Sequence, residues 1–435
     1  MVSVPNIPSS SDLDVAAKLV LLRVDINSPV DPVTKCIVGE ARIDKSLPTI
    51  RDLADRGARL VVIAHQGDSL DYHNLIPTEE HAAKLAEKLG RPVQWVDDVA
   101  GPEARRRIEA LVDGDILLLD NIRIYGEELT TFERDVRLTP EQMADTYLVR
   151  NLAPLFDLYV NDAFATAHRS APSMIAFQRL LPSAAGLLLA AEVEGLSRIL
   201  DDPARPAVFL LGGLKVSDGF SVMGRVLRDG LADRVLTTGV LGEIFLQANG
   251  VALGETTERF IAERDLTRHV DEAKALLAEY RDRIALPVDV AVIDRGERRE
   301  IAVAALPAET LIVDVGEATI SAYEVEIAAA GTVFVNGPAG AYEQPGSDVG
   351  TRRLWTAVAA AHGMTAIGGG DTVASAKRFV DLDDIGFVST AGGALIRFVS
   401  GQSLPLLEAF RTAGSERQPD IAARGEVDRL VEENA

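Results

Sequence analysis

The chain has 435 residues, of which 47% are hydrophobic and 25% charged, and carries a formal net charge of −22. That length exceeds one ordinary core and predicts two domains; no apolar run reaches the ~20 residues of a membrane span, and the acidic balance excludes nucleic acid as an electrostatic partner. A single cysteine, Cys36, rules out an internal disulfide, fits a reducing cytoplasm and reads as an inert side chain rather than a nucleophile.

The opening Met1-Val2-Ser3-Val4-Pro5 lacks the basic and apolar regions of a signal peptide. Beyond it, apolar β-branched runs alternate with amphipathic, helix-length segments. Leu19–Val24 predicts a strand and Ile43–Asp55 a helix. Arg59–Ala64, Val93–Val96, Asp115–Leu119 and Asp157–Val160 continue the strands, with helices over His81–Leu89, Pro102–Leu111 and Pro140–Leu152 between them. Gly186–Leu200 reads as one helix, ended by Asp201-Asp202-Pro203. The alternation then restarts. Strands are predicted over Ala207–Leu211, Arg234–Thr237, Leu311–Val315, Thr332–Val335, Met364–Ile367 and Ile385–Val388. Helices are predicted over Val216–Arg228, Leu266–Glu279, Ala318–Ala330, Thr351–His362 and Thr372–Phe379, with a last short one over Val427–Glu433. Continuous apolar strands between helices mean parallel sheets covered on both faces. The expected fold is α/β: two Rossmann-like three-layer domains with parallel sheets, residues 1–185 and 205–405, joined by a hinge helix at 186–204. Residues 406–435 are expected to return to the first domain.

Ligands of open parallel sheets bind beyond the carboxyl ends of the strands, and the polar residues collect there. Asp25 and Asn27 follow the first strand, His65 the second, Arg123 the fourth, and His168 and Arg169 the fifth; Arg42 opens a helix. Arginine's planar fork meets carboxylate or phosphate with two bonds. Two glycine turns punctuate the second half, Gly212-Gly213-Leu214-Lys215 and Gly368-Gly369-Gly370-Asp371-Thr372, each between an apolar run and a helix. Unpaired amides and a positive dipole make such helix starts anion sites. Lys215 adds a point charge, and Asp371-Thr372 a metal contact. Taken singly, each arginine reads first as a solvated surface charge, and His65 more often as a packed or capping histidine than as a ligand. His73, His81, His269 and His362 carry no metal spacing, and neither a P-loop, a zinc motif nor a nucleophilic-serine motif is present.

In order and together, these segments resemble the phosphoglycerate kinase family. The matching stretches are Arg23–Pro29, Arg42-Ile43, His65-Gln66-Gly67, Asn121-Ile122-Arg123, Asn161–Phe164, Ala167-His168-Arg169, Gly212–Asp218, Asn336–Gly340, Gly368–Thr372 and Ser389–Gly393. The wording of several, such as Ala64-His65-Gln66-Gly67, is most like the archaeal branch. The resemblance implies reversible phosphoryl transfer from 1,3-bisphosphoglycerate to ADP, by direct in-line transfer after domain closure, with ATP/ADP and Mg2+ required. It also implies a cytoplasmic monomer acting on small molecules. It gives Asp25 and Asn27 the glycerate hydroxyl and carboxyl region, Arg42 the charge on the moving group, and His65, Arg123 and Arg169 the phosphate end. Lys215 would contact the transferring group. Gly212, Gly213 and Gly239 would admit the base, and Glu343 would bond the ribose. Asn336, Gly369, Gly370, Asp371 and Thr372 would cradle the phosphates, with Asp371 near Mg2+; Gly370 and Gly393 would join Arg42 and Lys215 in catalysis. Such a reaction needs alignment and charge neutralisation more than a general base.

Four departures from the family pattern stand out: Asp68 stands where arginine is usual, Gly219 where many members have lysine, Ala391 interrupts a glycine run, and Ala190-Ala191 are apolar where related chains often carry charge. Asp68 leaves open a homologue acting on another small carboxylate; a second alternative is a catalytically silent nucleotide-binding protein, against which the joint retention of Arg42, Lys215 and Asp371 counts.

Overall fold

A computed structural model describes residues 7–389 and 391–413. The first sheet is built from β1 (Leu19–Arg23), β2 (Arg59–Ile63), β3 (Gln94–Val96), β4 (Ile116–Leu119), β5 (Leu158–Asn161) and β6 (Ser183–Ala185). All its pairings are parallel, in the order β3-β4-β2-β1-β5-β6. A second parallel sheet uses β7 (Ala207–Leu211), β8 (Arg234–Thr237) and β9 (Ile284–Ala285). Three further strands, β10 (Asp289–Asp294), β11 (Glu297–Ala302) and β12 (Ile312–Val315), pair antiparallel as β11-β10-β12. β13 (Thr332–Asn336), β14 (Met364–Ile367) and β15 (Phe387–Val388) complete the second parallel sheet in the order β15-β14-β13-β7-β8-β9.

Every residue of β4 and β7 is buried, which is why these strands read as unbroken apolar runs rather than alternations. Core residues Val20, Leu22, Ile50, Leu60, Val62 and Leu118 pack together in the first unit; Val208, Leu210, Val333, Val335, Leu354 and Val358 do so in the second. The two units comprise residues 7–194 with 403–413, and residues 195–402. The division falls inside the helix Leu187–Leu200. Residues 405–413 are helical, and the Leu406 N–H donates to the Ala167 carbonyl. The rest of the 406–435 segment, including Val427–Glu433, lies outside the described residues, as does Thr390.

Most predicted elements appear within a few residues of their expected bounds, with three differences. Leu311–Val315 forms a strand, but in the small antiparallel sheet and not in the parallel one. Its hairpin partners escaped notice because Glu297-Arg298-Arg299-Glu300 is charged, and because the turn is Arg295-Gly296 in place of Asn-Gly. Both turn residues have positive φ, 51° and 86°, as a tight hairpin requires. Pro140–Leu152 is two short helices, Pro140–Met143 and Tyr147–Leu152. The helices Gly239–Ala248 and Glu255–Glu263 were not foreseen.

Candidate active site

In the first unit the strand ends of β1, β2, β4 and β5 lie on one edge of a parallel sheet, so the residues that follow them gather there. The chain turns directly from β1 into Val24-Asp25, and Asp25 is buried. Nη1 of Arg42 donates to both Asp25 carboxylate oxygens, at 3.0 and 3.1 Å, while Arg42 itself is 43% exposed. Nη2 of the buried Arg23 lies 3.0 Å from His65 Nδ1. A guanidinium only donates, so Nδ1 is the acceptor and a neutral ring carries its proton on Nε2, which faces Asp25 Oδ1 at 3.9 Å. Burial first, then the guanidiniums of Arg123, Arg23, Arg42 and Arg169, hold the His65 pKa well below its usual value. His65 is therefore neutral, and any grip on a phosphate is a hydrogen bond and not a charge. Arg23 touches His65 directly and Arg42 shares Asp25 with it, while Arg123 and Arg169 converge on Asp68. Asn27 accepts from the Gly67 N–H through Oδ1, at 3.1 Å.

Asp68 sits among these cations. Its Oδ2 lies 3.1 Å from Nη1 of Arg123 and 3.6 Å from Nη1 of Arg169, and Thr130 donates to its Oδ1 at 2.6 Å. Burial pushes the Asp68 pKa up, but the Thr130 hydrogen bond and the Arg123 charge outweigh it and hold the carboxyl below the usual range. Arg123 is buried, and burial pushes its pKa down to about 10, so it stays cationic at neutral pH. Arg169 Nε also donates to Glu133. Even so, Arg123 Nε and Arg169 Nη2 are buried donors with no hydrogen-bond partner among the described residues. Buried N–H groups on cations are costly to leave unmet, and an anion would meet them.

In the second unit the two glycine turns and the loop after β13 meet in one cavity of about 140 Å³. Gly212, Gly213, Lys215, Asn336, Gly369, Gly370, Asp371, Thr372, Gly392 and Gly393 all line it, so the expected phosphate residues of the second half are brought together. The loops are stitched by Gly212 N–H to Asn336 O, Asn336 Nδ2 to Gly368 O and Gly337 N–H to Thr372 Oγ1, all at 2.8–2.9 Å. A Cβ on Gly212 would fall 2.3 Å from Thr238 Oγ1 and 2.7 Å from the Pro338 carbonyl oxygen, so only glycine permits this approach. Lys215 Nζ lies 2.9 Å from Asp371 Oδ2, and both side chains are about two-thirds exposed at the cavity mouth. Ala391, where a glycine was expected, keeps its part through the backbone, since its carbonyl accepts the Gly369 N–H. At Gly219 a Cβ would come within 2.9 Å of Leu241 Cδ2, so a side chain there would require the Leu241 side chain to shift.

Beside the cradle lies a larger, mainly apolar cavity of about 450 Å³. Gly213, Gly239, Leu311, Pro338 and Glu343 are on its wall. An apolar slot adjoining a glycine-lined anion cradle has the form of a nucleotide site. No group of three or more His, Cys, Asp or Glu residues that could hold a metal ion occurs among the described residues. Asp371, an exposed carboxylate in a cradle whose wall also holds Asp218, fits a Mg2+ ion held mostly by substrate phosphates and water.

Several site residues were not singled out from sequence. Arg23 belongs to a quoted motif, yet its burial against His65 depends on the β1–β2 pairing. The pairing of Asp68 with Arg123 and Arg169, some 55 and 101 positions away, is a tertiary fact. Glu243 did leave a trace, as the one charge in the apolar run Val240–Leu246.

The family model of phosphoglycerate kinase matches residues 10–402. The phosphoglycerate kinase of Methanothermobacter thermautotrophicus is 43% identical over 94% of this chain and 97% of its own. That of Methanopyrus kandleri is 41% identical over 94% and 98%. The crystal structure of phosphoglycerate kinase from Pyrococcus horikoshii superposes with a TM-score of 0.84 at 35% identity, covering 94% of this chain and 100% of that one. With a match over nearly its whole length and archaeal relatives, the chain belongs to the phosphoglycerate kinase family, and so is a phosphotransferase with a carboxyl group as acceptor.

Proposed function

We propose that the strand-end arginines of residues 7–194 bind 3-phosphoglycerate and the glycine cradle of residues 195–402 binds ATP or ADP. The observation that carries this reading is the convergence of Arg23 and Arg42 on His65 and Asp25 and of Arg123 and Arg169 on Asp68, with buried N–H groups of Arg123 and Arg169 unmet. Arg123 and Arg169 take the phosphate end of the acid, and Asp25 and Asn27 its hydroxyl and carboxyl region. Arg42 is the most exposed member of the set, anchored through one guanidinium nitrogen to Asp25, and is the one to neutralise charge on the acyl phosphate. In the cradle, Asn336, Gly369, Gly370 and Thr372 surround the nucleotide phosphates, Gly212, Gly213 and Gly239 admit the base, and Glu343 bonds the ribose. Lys215 leaves Asp371 for the transferring phosphoryl group, and Gly370 and Gly393 add backbone N–H groups. Asp371 would help hold Mg2+, which supplies positive charge across the phosphate oxygens.

The attacking carboxylate already carries its charge, so no general base is needed and the chain's residues act by alignment and neutralisation. The reading includes a monomer working in the cytoplasm; among the described residues no helix is long and apolar enough to cross a membrane. Steady-state kinetics of Arg42→Ala and Lys215→Ala with 3-phosphoglycerate, ATP and Mg2+ test it. Near-normal turnover of either variant overturns that residue's role.

A further inference from the structure

On the wall of the 450 Å³ cavity, one side chain carries a buried polar atom with no hydrogen-bond partner, and neither the fold nor the proposed chemistry uses it. Glu243 lies one turn into the helix Gly239–Ala248, and its face of that helix, with Gly239, Val240 and Leu246, forms part of the cavity wall. It is 6% exposed, and its Oε2 is buried with no hydrogen-bond partner. No lysine, arginine or histidine lines the cavity. The other ionisable groups on the wall are Asp314, Tyr342, Glu343 and Asp371. Of these, Asp314 is paired with Arg298 and Asp371 with Lys215. A carboxyl buried this way, with neither hydrogen bond nor cation, costs stability unless something that enters the cavity pairs with it.

We infer that Glu243 is a base-specificity residue, whose carboxyl pairs with the 6-amino edge of an adenine seated in the cavity. The inference rests on the reading that this cavity takes the nucleotide base. Burial alone pushes the Glu243 pKa up to about 8, so at neutral pH the group is a carboxylic acid with a donor and an acceptor side by side. Adenine presents the complement, a ring-nitrogen acceptor beside the N6 amino donor. Guanine presents two acceptors at N7 and O6; turned to its other edge, it leaves its N2 amino group against apolar wall. Once ionised, the carboxylate only accepts and loses its bond to the adenine ring nitrogen.

The test compares ADP with GDP by equilibrium binding to the full chain, for wild type, Glu243→Leu and the isosteric Glu243→Gln. Wild type should prefer ADP by about tenfold or more, as a two-bond base contact gives. Glu243→Leu should reduce that preference to about threefold or less, while Glu243→Gln, which keeps a donor and an acceptor, retains it. Between pH 7 and 9 wild type should lose about fivefold or more of its ADP affinity relative to Glu243→Gln. The pH arm decides the matter if Glu243→Leu does not fold. Photolabelling with 8-azido-ADP locates the base independently. Label on peptides carrying residues 311–315 or 338–344, with base preference and pH dependence unchanged by the substitutions, overturns the role of Glu243 and leaves the site reading intact. Label elsewhere overturns the site reading and this inference with it.

Discussion

Asp68→Asn removes the carboxylate wedged between the buried Arg123 and the half-buried Arg169 of the acid site. Asp68 is ionised at neutral pH, 3.1 Å from Arg123 and 3.6 Å from Arg169. A phosphate gripping the same two guanidiniums would lie roughly 6 Å from it. At that distance each unit of negative charge is repelled by about 3 kcal/mol at an effective dielectric constant near 20, and by under 1 kcal/mol in bulk water. Asp68 is 15% exposed, so part of that field is screened. A net gain of roughly 1–3 kcal/mol on removing the charge is expected, or about 5- to 150-fold in affinity for 3-phosphoglycerate. Stability should move the other way. The empty variant leaves two buried cations with one partner fewer, at a cost of roughly 1–3 kcal/mol. Because the Asp68 pKa is depressed in the fold, its stabilising contribution is fully present above the unfolded value near 3.8 and fades only as pH falls below it. Binding titration and thermal melts at pH 7 measure both effects. A folded variant that binds 3-phosphoglycerate more weakly than wild type would refute the reasoning, and would point to an acid whose distal group donates to Asp68.

Arg42→Ala should lower kcat roughly 100- to 1,000-fold, as loss of a charge-neutralising donor does, with ADP affinity within about twofold; stopped-flow turnover and nucleotide titration check this. Lys215→Ala should cost a similar factor in rate yet change stability by less than about 0.5 kcal/mol, since its ion pair with Asp371 is exposed. Equal losses of rate and thermal stability would contradict that. Asp162 caps the helix Leu187–Leu200 by accepting the Leu189 N–H, and burial pushes its pKa up to about 7. A raised carboxyl pKa means the fold binds the proton more tightly, so wild type loses stability as pH rises from about 4 to about 7, by roughly 2–4 kcal/mol. Asp162→Asn should flatten the melting-temperature profile between pH 5 and 8, and a profile parallel to wild type would exclude Asp162 as its source.

The parallel sheets were legible because β4 and β7 are buried on both faces and write that burial directly as Ile-Leu-Leu-Leu and Ala-Val-Phe-Leu-Leu. The hairpin of β10 and β11 was not, because its second strand is largely exposed and charged and its turn uses arginine before glycine. In the site, residues that follow a strand or open a helix announced themselves by position: Asp25, His65, Arg123, Gly212 and Asp371. What stayed hidden were partnerships across the fold. Asp68 looked like an isolated substitution, yet it is bonded to Thr130 and paired with two arginines from distant strand ends. The neutrality of His65 follows from burial beside four guanidiniums, which no local pattern encodes.

The most direct measurement is a coupled assay of the purified chain with 3-phosphoglycerate, ATP and Mg2+, run beside a panel of other small carboxylates. Sustained ADP formation with 3-phosphoglycerate, lowered roughly 100- to 1,000-fold in Arg42→Ala, is the expected result. Tight nucleotide binding without turnover, or a preference for another acid, would contradict the assignment of the acid site.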